Sequence, residues 1–194
     1  MSDLDFSDPP SPISTPHTLS ELAHLIRARN ELEQAITAIV HRPASIGHLG
    51  EFIAAAVFDI VLEHSAVAKA IDGFFRAGPL AGRSVNVKWY AAFEGELDIT
   101  PASLPDIYLV LAGPRPAAMT SRGRTRPWLI ERVFLFDAVT LTVALRARGV
   151  RIGDATSVAH ALWHDGELYP RANNPALAVS PAQRELLGLF GRTS

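Results

Sequence analysis

Ser84-Val-Asn-Val-Lys-Trp-Tyr90 is the stretch on which the fold turns. In an extended chain Val85, Val87 and Trp89 fall on one side, and Ser84, Asn86, Lys88 and Tyr90 on the other. That alternation describes a strand with one packed face and one polar face. Just before it, Arg76-Ala-Gly-Pro-Leu-Ala-Gly-Arg83 carries two glycines and a proline, which is turn chemistry. Ala68 to Phe75 is a further β-like run, so the two runs read as a hairpin. Asp72 is unusual there, because aspartate is depleted in strands and its side chain competes for backbone hydrogen bonds. Asp72-Gly73 is either a tight turn in itself or an acid held in the sheet for another purpose.

Upstream of the hairpin the period changes to that of helices. Thr18 and Glu21 have the spacing of a capping box, and Leu22, Leu25, Ile26, Leu32, Ile36 and Ile39 recur at helical intervals to about Val40. Pro43 breaks the pattern, and Ser45 caps a second helix expected to run to about Glu63. Ile46, Leu49, Ile53, Val57 and Ile60 form its apolar stripe, while His48, Asp59 and Glu63 mark the wet side. Glu51 lies on neither. A carboxylate on a largely apolar flank calls for a cation, a metal or a hydrogen-bond donor, unless it is a boundary glutamate reaching water.

Downstream, Asp106-Ile-Tyr-Leu-Val-Leu-Ala112 is a continuous apolar run closed by Gly113-Pro114, the pattern of a strand buried on both faces. Ile130 to Phe136 reads as another strand, and Asp137 caps a helix through Arg148 that Gly149 ends. Thr156 to His164 reads as a short helix, and Ser180-Pro181-Ala-Gln183 opens a last one to Phe190. Together these predict an α/β domain with a central mixed sheet flanked by helices. Residues 1–17, acidic and rich in Ser and Pro, are expected to be a disordered lead-in, with one domain over 18–194.

Composition narrows the function. The 194 residues are 48% hydrophobic and 20% charged, enough for one sizeable core, and the formal net charge of −2 excludes a globally basic nucleic-acid binder. Recognition of a phosphate backbone would then rest on local patches: Arg76 and Arg83 at the hairpin turn, and Arg122, Arg124 and Arg126 in a basic loop that is equally well a solvated connection. The absence of cysteine removes disulfides, thiolate metal sites and cysteine nucleophiles, and points to a reducing cytoplasm. The longest apolar stretch is too short to cross a bilayer, so no membrane partner is expected. Lys69 and Lys88 are the chain's two lysines among many arginines, which suggests a place where a compact ammonium does what a guanidinium does not.

Taken in order, Ile46-Gly-His-Leu-Gly-Glu51-Phe-Ile-Ala54, Ile71-Asp72-Gly73 and Val85-Asn-Val-Lys-Trp89 resemble the PD-(D/E)xK nuclease superfamily, the restriction-endonuclease-like fold, and look like a bacterial branch of it. In that superfamily a helix bearing a Glu precedes a hairpin, the Asp lies on its first strand, and an acid-x-Lys motif lies on the next. The resemblance implies a metal-dependent nuclease cutting DNA or RNA. Asp72 would be the principal metal ligand, Glu51 the helix carboxylate, and Lys88 the group that steadies the attacking water. Asn86 stands in the place of the second acid, where an amide oxygen is a weaker ligand and no base. With Mg2+ or Mn2+ as the implied cofactor, Glu51, Asp72 and Asn86 are the candidate ligands. The alternative is a catalytically inactive nuclease-fold module binding nucleic acid or a protein partner, and a homo-oligomer is left open.

Overall fold

The computed structural model describes residues 16–63, 70–115 and 126–192. The chain divides into two compact units between Ala44 and Ser45. The first holds one helix, α1 (Pro16–Val40). It begins two residues before the expected cap at Thr18, with proline at the first helical position, where its missing N–H costs nothing. An Arg29–Glu33 pair one turn apart, at 2.8 Å, lies on its exposed surface.

The second unit is an α/β structure built on a mixed sheet. Its elements run α2 (Ile46–Phe58), β1 (Ile60–Leu62), β2 (Gly73–Phe75), β3 (Ser84–Tyr90), β4 (Glu96–Leu97), β5 (Ile107–Ala112), β6 (Arg132–Asp137), α3 (Ala138–Ala147), β7 (Thr156–Ser157), α4 (His160–Gly166), β8 (Glu167–Tyr169) and α5 (Pro181–Gly188). Among the described residues, six strands pair in the order β1-β2-β3-β5-β6-β8, and β4 pairs with β7 apart from them. The β1, β2 and β3 strands form an antiparallel meander. β5 then lies parallel to β3, and β6 and β8 follow antiparallel.

Two cores sit on the two faces of this sheet. Val85, Val87 and Trp89 of β3 pack with Leu109 and Leu111 of β5 beneath Ile53, Ala54 and Val57 of α2 and Leu187 of α5. Tyr108, Val110 and Ala112 of β5 face the other way, against Phe134 and Phe136 of β6, Leu141 and Leu145 of α3, and Trp163 of α4. Each fully buried aliphatic or aromatic side chain contributes about 1.5–3 kcal/mol. The uninterrupted burial of β5 matches its uninterrupted apolar sequence.

Several expected boundaries move. Helix α2 stops at Phe58 instead of Glu63, because Asp59 turns left-handed (φ 53°) and returns its N–H to the Ala55 carbonyl. The freed Ile60-Val-Leu run, β-branched and apolar, becomes the edge strand β1, so the expected hairpin is a three-stranded meander. Of the strand expected over Ala68 to Phe75, Ala68 and Lys69 lie outside the described residues, and β2 starts at Gly73. Thr156 and Ser157 are not helical: they pair with Leu97 and Glu96, and α4 begins only at His160. The caps Ser45, Asp137 and Ser180 are as expected, the last in a full capping box with Gln183.

Two glycines permit close approaches. A Cβ on Gly73 would lie 2.4 Å from the Val61 carbonyl oxygen, and one on Gly113 would lie 2.2 Å from that of Ala91. At Gly113 the obstacle is backbone, which no rotamer change relieves. Gly113→Ala is therefore expected to destabilise the unit by about 1–3 kcal/mol, read as a lower urea midpoint at unchanged slope.

Candidate functional site

The site assembles where β2 leaves β3. Asp72 precedes Gly73, and its backbone continues the pairing: its N–H donates to Val85 O (2.8 Å) and its carbonyl accepts from Glu63 N (2.8 Å). Its side chain then takes over a role normally filled by main chain, as Oδ2 accepts the Val87 N–H at 2.7 Å. The aspartate in the β-like run is thus a carboxylate lying in the plane of the sheet, and not an independent tight turn.

Val87 lies between Asn86 and Lys88, so this hydrogen bond ties the Asp72 carboxylate to the backbone between those two residues. Asn86 and Lys88 project from the face of β3 opposite to Val85, Val87 and Trp89. That face was expected to be polar and open, but Asn86 is only 4% exposed and Lys88 is half-buried. In the parallel register Asn86 stands beside Tyr108 and Lys88 beside Val110. Asn86 Oδ1 is buried with no hydrogen-bond partner, while the buried Tyr108 hydroxyl is turned toward the Thr100 backbone, a contact too loose to count as a full hydrogen bond. An orphaned polar atom inside the sheet is expensive unless something polar meets it. Burial pushes the Tyr108 phenol up, so it remains a neutral donor at ordinary pH.

Glu51 comes from the other layer. It is half-buried on α2, next to Gly50, where an added Cβ would lie 3.0 Å from that of Trp89. Its helix packs on the Val85, Val87 and Trp89 face, so Glu51 lies in the layer on the opposite side of the sheet from the Asn86 and Lys88 side chains. Among the described residues, no three His, Cys, Asp or Glu side chains form a metal-holding cluster. The candidate donors are two carboxylates and an amide.

The proposed backbone-binding arginines have protein partners. Arg76 pairs with Asp59 at 3.3 Å on the surface. Arg83 binds Asp137 Oδ2 at 2.7 Å and the Asp106 carbonyl at 3.3 Å, tying the hairpin turn to the cap of α3. Arg126 pairs with Glu94 at 2.9 Å. Arg122 and Arg124 lie outside the described residues. Trp128 is 46% exposed and tilts against Trp89, the ring centroids 6.4 Å apart.

A second polar cluster braces the start of β3. The Ser84 N–H and hydroxyl both donate to Asp106 Oδ2 (2.8 and 2.7 Å), and the Asp106 N–H returns a bond to Ser84 Oγ (2.8 Å). These bonds hold the Asp106 carboxyl below its usual range. Burial works to raise Asp137, but hydrogen bonds from Arg83 and Thr140 outweigh it and leave it lowered as well. The involvement of Tyr108 and Asp106 was not read from sequence, since both lay in a run whose only signal was apolarity.

The chain matches no protein-family model and no curated protein.

Two outcomes follow. Asp72→Ala strands the Val87 N–H and is expected to cost about 1–3 kcal/mol in denaturant unfolding, whereas Asp72→Asn keeps an acceptor and costs less. For Asp106, a folded pKa below the ordinary value of about 3.9 means stability present at neutral pH and lost as pH falls through the folded value. Asp106→Asn should flatten the acid limb of urea midpoint against pH, by about 1 kcal/mol or less given the residue's exposure.

Proposed function

We propose that residues 45–194 form a nuclease-like domain that hydrolyses phosphodiester bonds in DNA or RNA with the help of Mg2+ or Mn2+. The observation that carries this reading is the Asp72 carboxylate bonded to Val87, with Asn86 and Lys88 on either side of that residue. It is supported by element order: a helix bearing Glu51, then the meander, with the acid at the start of β2 and the lysine on β3. It is also supported by the unsatisfied Asn86 oxygen, which a hard cation or an ordered water would satisfy.

The donor set fits such a cation, being all oxygen. Asp72 would hold it together with Asn86 or with Glu51, which lie on opposite sides of the sheet. Bound there, it supplies Lewis-acid polarisation of a phosphate and lowers the pKa of a water. Lys88 is a compact charge that would attract the phosphate and stabilise the negative charge that grows on its oxygens. The backbone N–H of Val87 orients the Asp72 carboxylate and draws charge from one oxygen. The Tyr108 hydroxyl, kept protonated, can donate beside Asn86.

A second reading has its own support. Asn86 is buried where a second acid is expected, and the described arginines Arg76, Arg83 and Arg126 are engaged with carboxylates. That combination suits a nuclease-fold module that binds nucleic acid or a protein partner without cutting.

The readings separate in an assay of single- and double-stranded DNA and RNA with Mg2+ or Mn2+. The catalytic reading expects cleavage by wild type, abolished by Asp72→Asn and reduced about 100-fold or more by Lys88→Ala. Asn86→Asp should lower the metal concentration needed for half-maximal rate. Absence of cleavage by wild type and by Asn86→Asp alike, with folding intact, would leave the binding module.

A further inference from the structure

Away from Asp72, a cavity of about 490 Å3 opens at the far end of the same sheet face, lined among the described residues by Phe93, Glu94, Arg115, Val158, His160 and Trp163. Its wall is an aromatic cluster. Phe93 stacks on Phe134 at 5.2 Å and meets Trp163 edge-on at 5.0 Å, and the Trp163 indole N–H is fixed to the Gly95 carbonyl at 3.2 Å. Two guanidiniums lie over the one Phe93 ring, Arg115 of the cavity lining at 5.2 Å and Arg132, which stands just outside that lining, at 5.4 Å from its centroid.

Those guanidiniums are the unusual feature. Among the described residues neither has a hydrogen-bonding or carboxylate partner, and their recorded contact is the ring itself. The nearest acid in the lining, Glu94, is already neutralised by Arg126 at 2.9 Å. Two like charges gathered on one ring repel each other, and a multivalent anion between them reverses the sign of that energy. Each guanidinium carries five N–H donors in a planar fork that pairs with phosphate oxygens, and none of them is taken up by a protein acceptor among the described residues. The imidazole of His160, exposed at the start of α4, adds a further donor to the same lining.

The size and the walls specify more than an inorganic anion. The volume is that of a small-molecule site, and an aromatic and apolar wall beside a cationic rim suits a ligand with a planar body and a phosphate. We propose that this cavity is a phosphate-binding site for a nucleotide, whether free or at the end of a nucleic-acid strand. It goes beyond the phosphodiester reading and does not rest on it, since Asp72, Asn86 and Lys88 take no part.

The test is a calorimetric titration of the full chain with adenosine monophosphate, adenosine, inorganic phosphate, and an oligonucleotide with or without a terminal phosphate. The expected result is that the phosphorylated nucleotide or strand binds at least about tenfold more tightly than its unphosphorylated counterpart, and that Arg115→Gln and Arg132→Gln each weaken it about tenfold. Asp72→Asn should leave this binding unchanged. Competition assigns the source: displacement of the strand by adenosine monophosphate at comparable concentration indicates a free nucleotide, and its failure indicates a strand end. Arg115 is exposed, so its variant keeps the fold, as a thermal melt would verify. Equal affinity with and without the phosphate, inorganic phosphate binding as tightly as the nucleotide, indifference to Arg115→Gln, or no binding of any nucleotide would each overturn the assignment.

Discussion

The parallel pairing of β3 with β5 is the constraint on which the second unit depends. Six consecutive residue pairs, Val85 with Ile107 through Tyr90 with Ala112, fix which side chains meet on each face. Parallel strands need a crossover and cover on both sides, and the chain supplies both: a connection through β4, and helices on either face. Slipping that register by one residue would send Val85, Val87 and Trp89 out of the α2 core and carry Asn86 and Lys88 into it. Site and core are thus specified by the same pairing.

The pairing also explains the burial of Asn86. A strand with an open polar face would leave that amide in water, but β5 brings Tyr108 alongside it and the second core closes over the neighbouring residues. The amide oxygen then sits in an apolar setting without the partner that burial demands, beside a phenol whose nearest polar neighbour is the Thr100 backbone. Such local inconsistency in an otherwise satisfied core is where function is commonly found, because stability alone would favour apolar replacements.

Much of this was legible beforehand, and the reasons differ by element. Alternation over Ser84–Tyr90 identified β3 and separated its faces, since period-two patterning is a direct imprint of one-sided packing. Ser45, Asp137 and Ser180 announced their helices, because capping is local chemistry. Asp72, Asn86 and Lys88 were singled out by residue type and by the resemblance of their segments to a known superfamily, and the Asp72 carboxylate accepts a hydrogen bond from Val87, the residue between the other two. What escaped was long-range. Nothing local tells Ile60–Leu62 that it will pair with β2 and leave the helix, or Thr156 that it will pair with Leu97. Tyr108 was hidden inside an apolar run, and its place beside Asn86 follows only from a parallel register set by residues far apart in sequence. Phe93, Arg115 and Arg132 come from three segments, and no spacing rule connects them.

Gly73 lends the site a further property. Directly after Asp72, it lets the Val61 carbonyl come closer than any side chain would allow, so the position of the acid is set by a residue that carries no chemistry. A substitution scan read by folding would score Gly73 alongside Asp72, since a side chain there meets the Val61 carbonyl of the edge strand. Grafting the acid and the lysine alone onto another meander would reproduce the names of the residues without their arrangement.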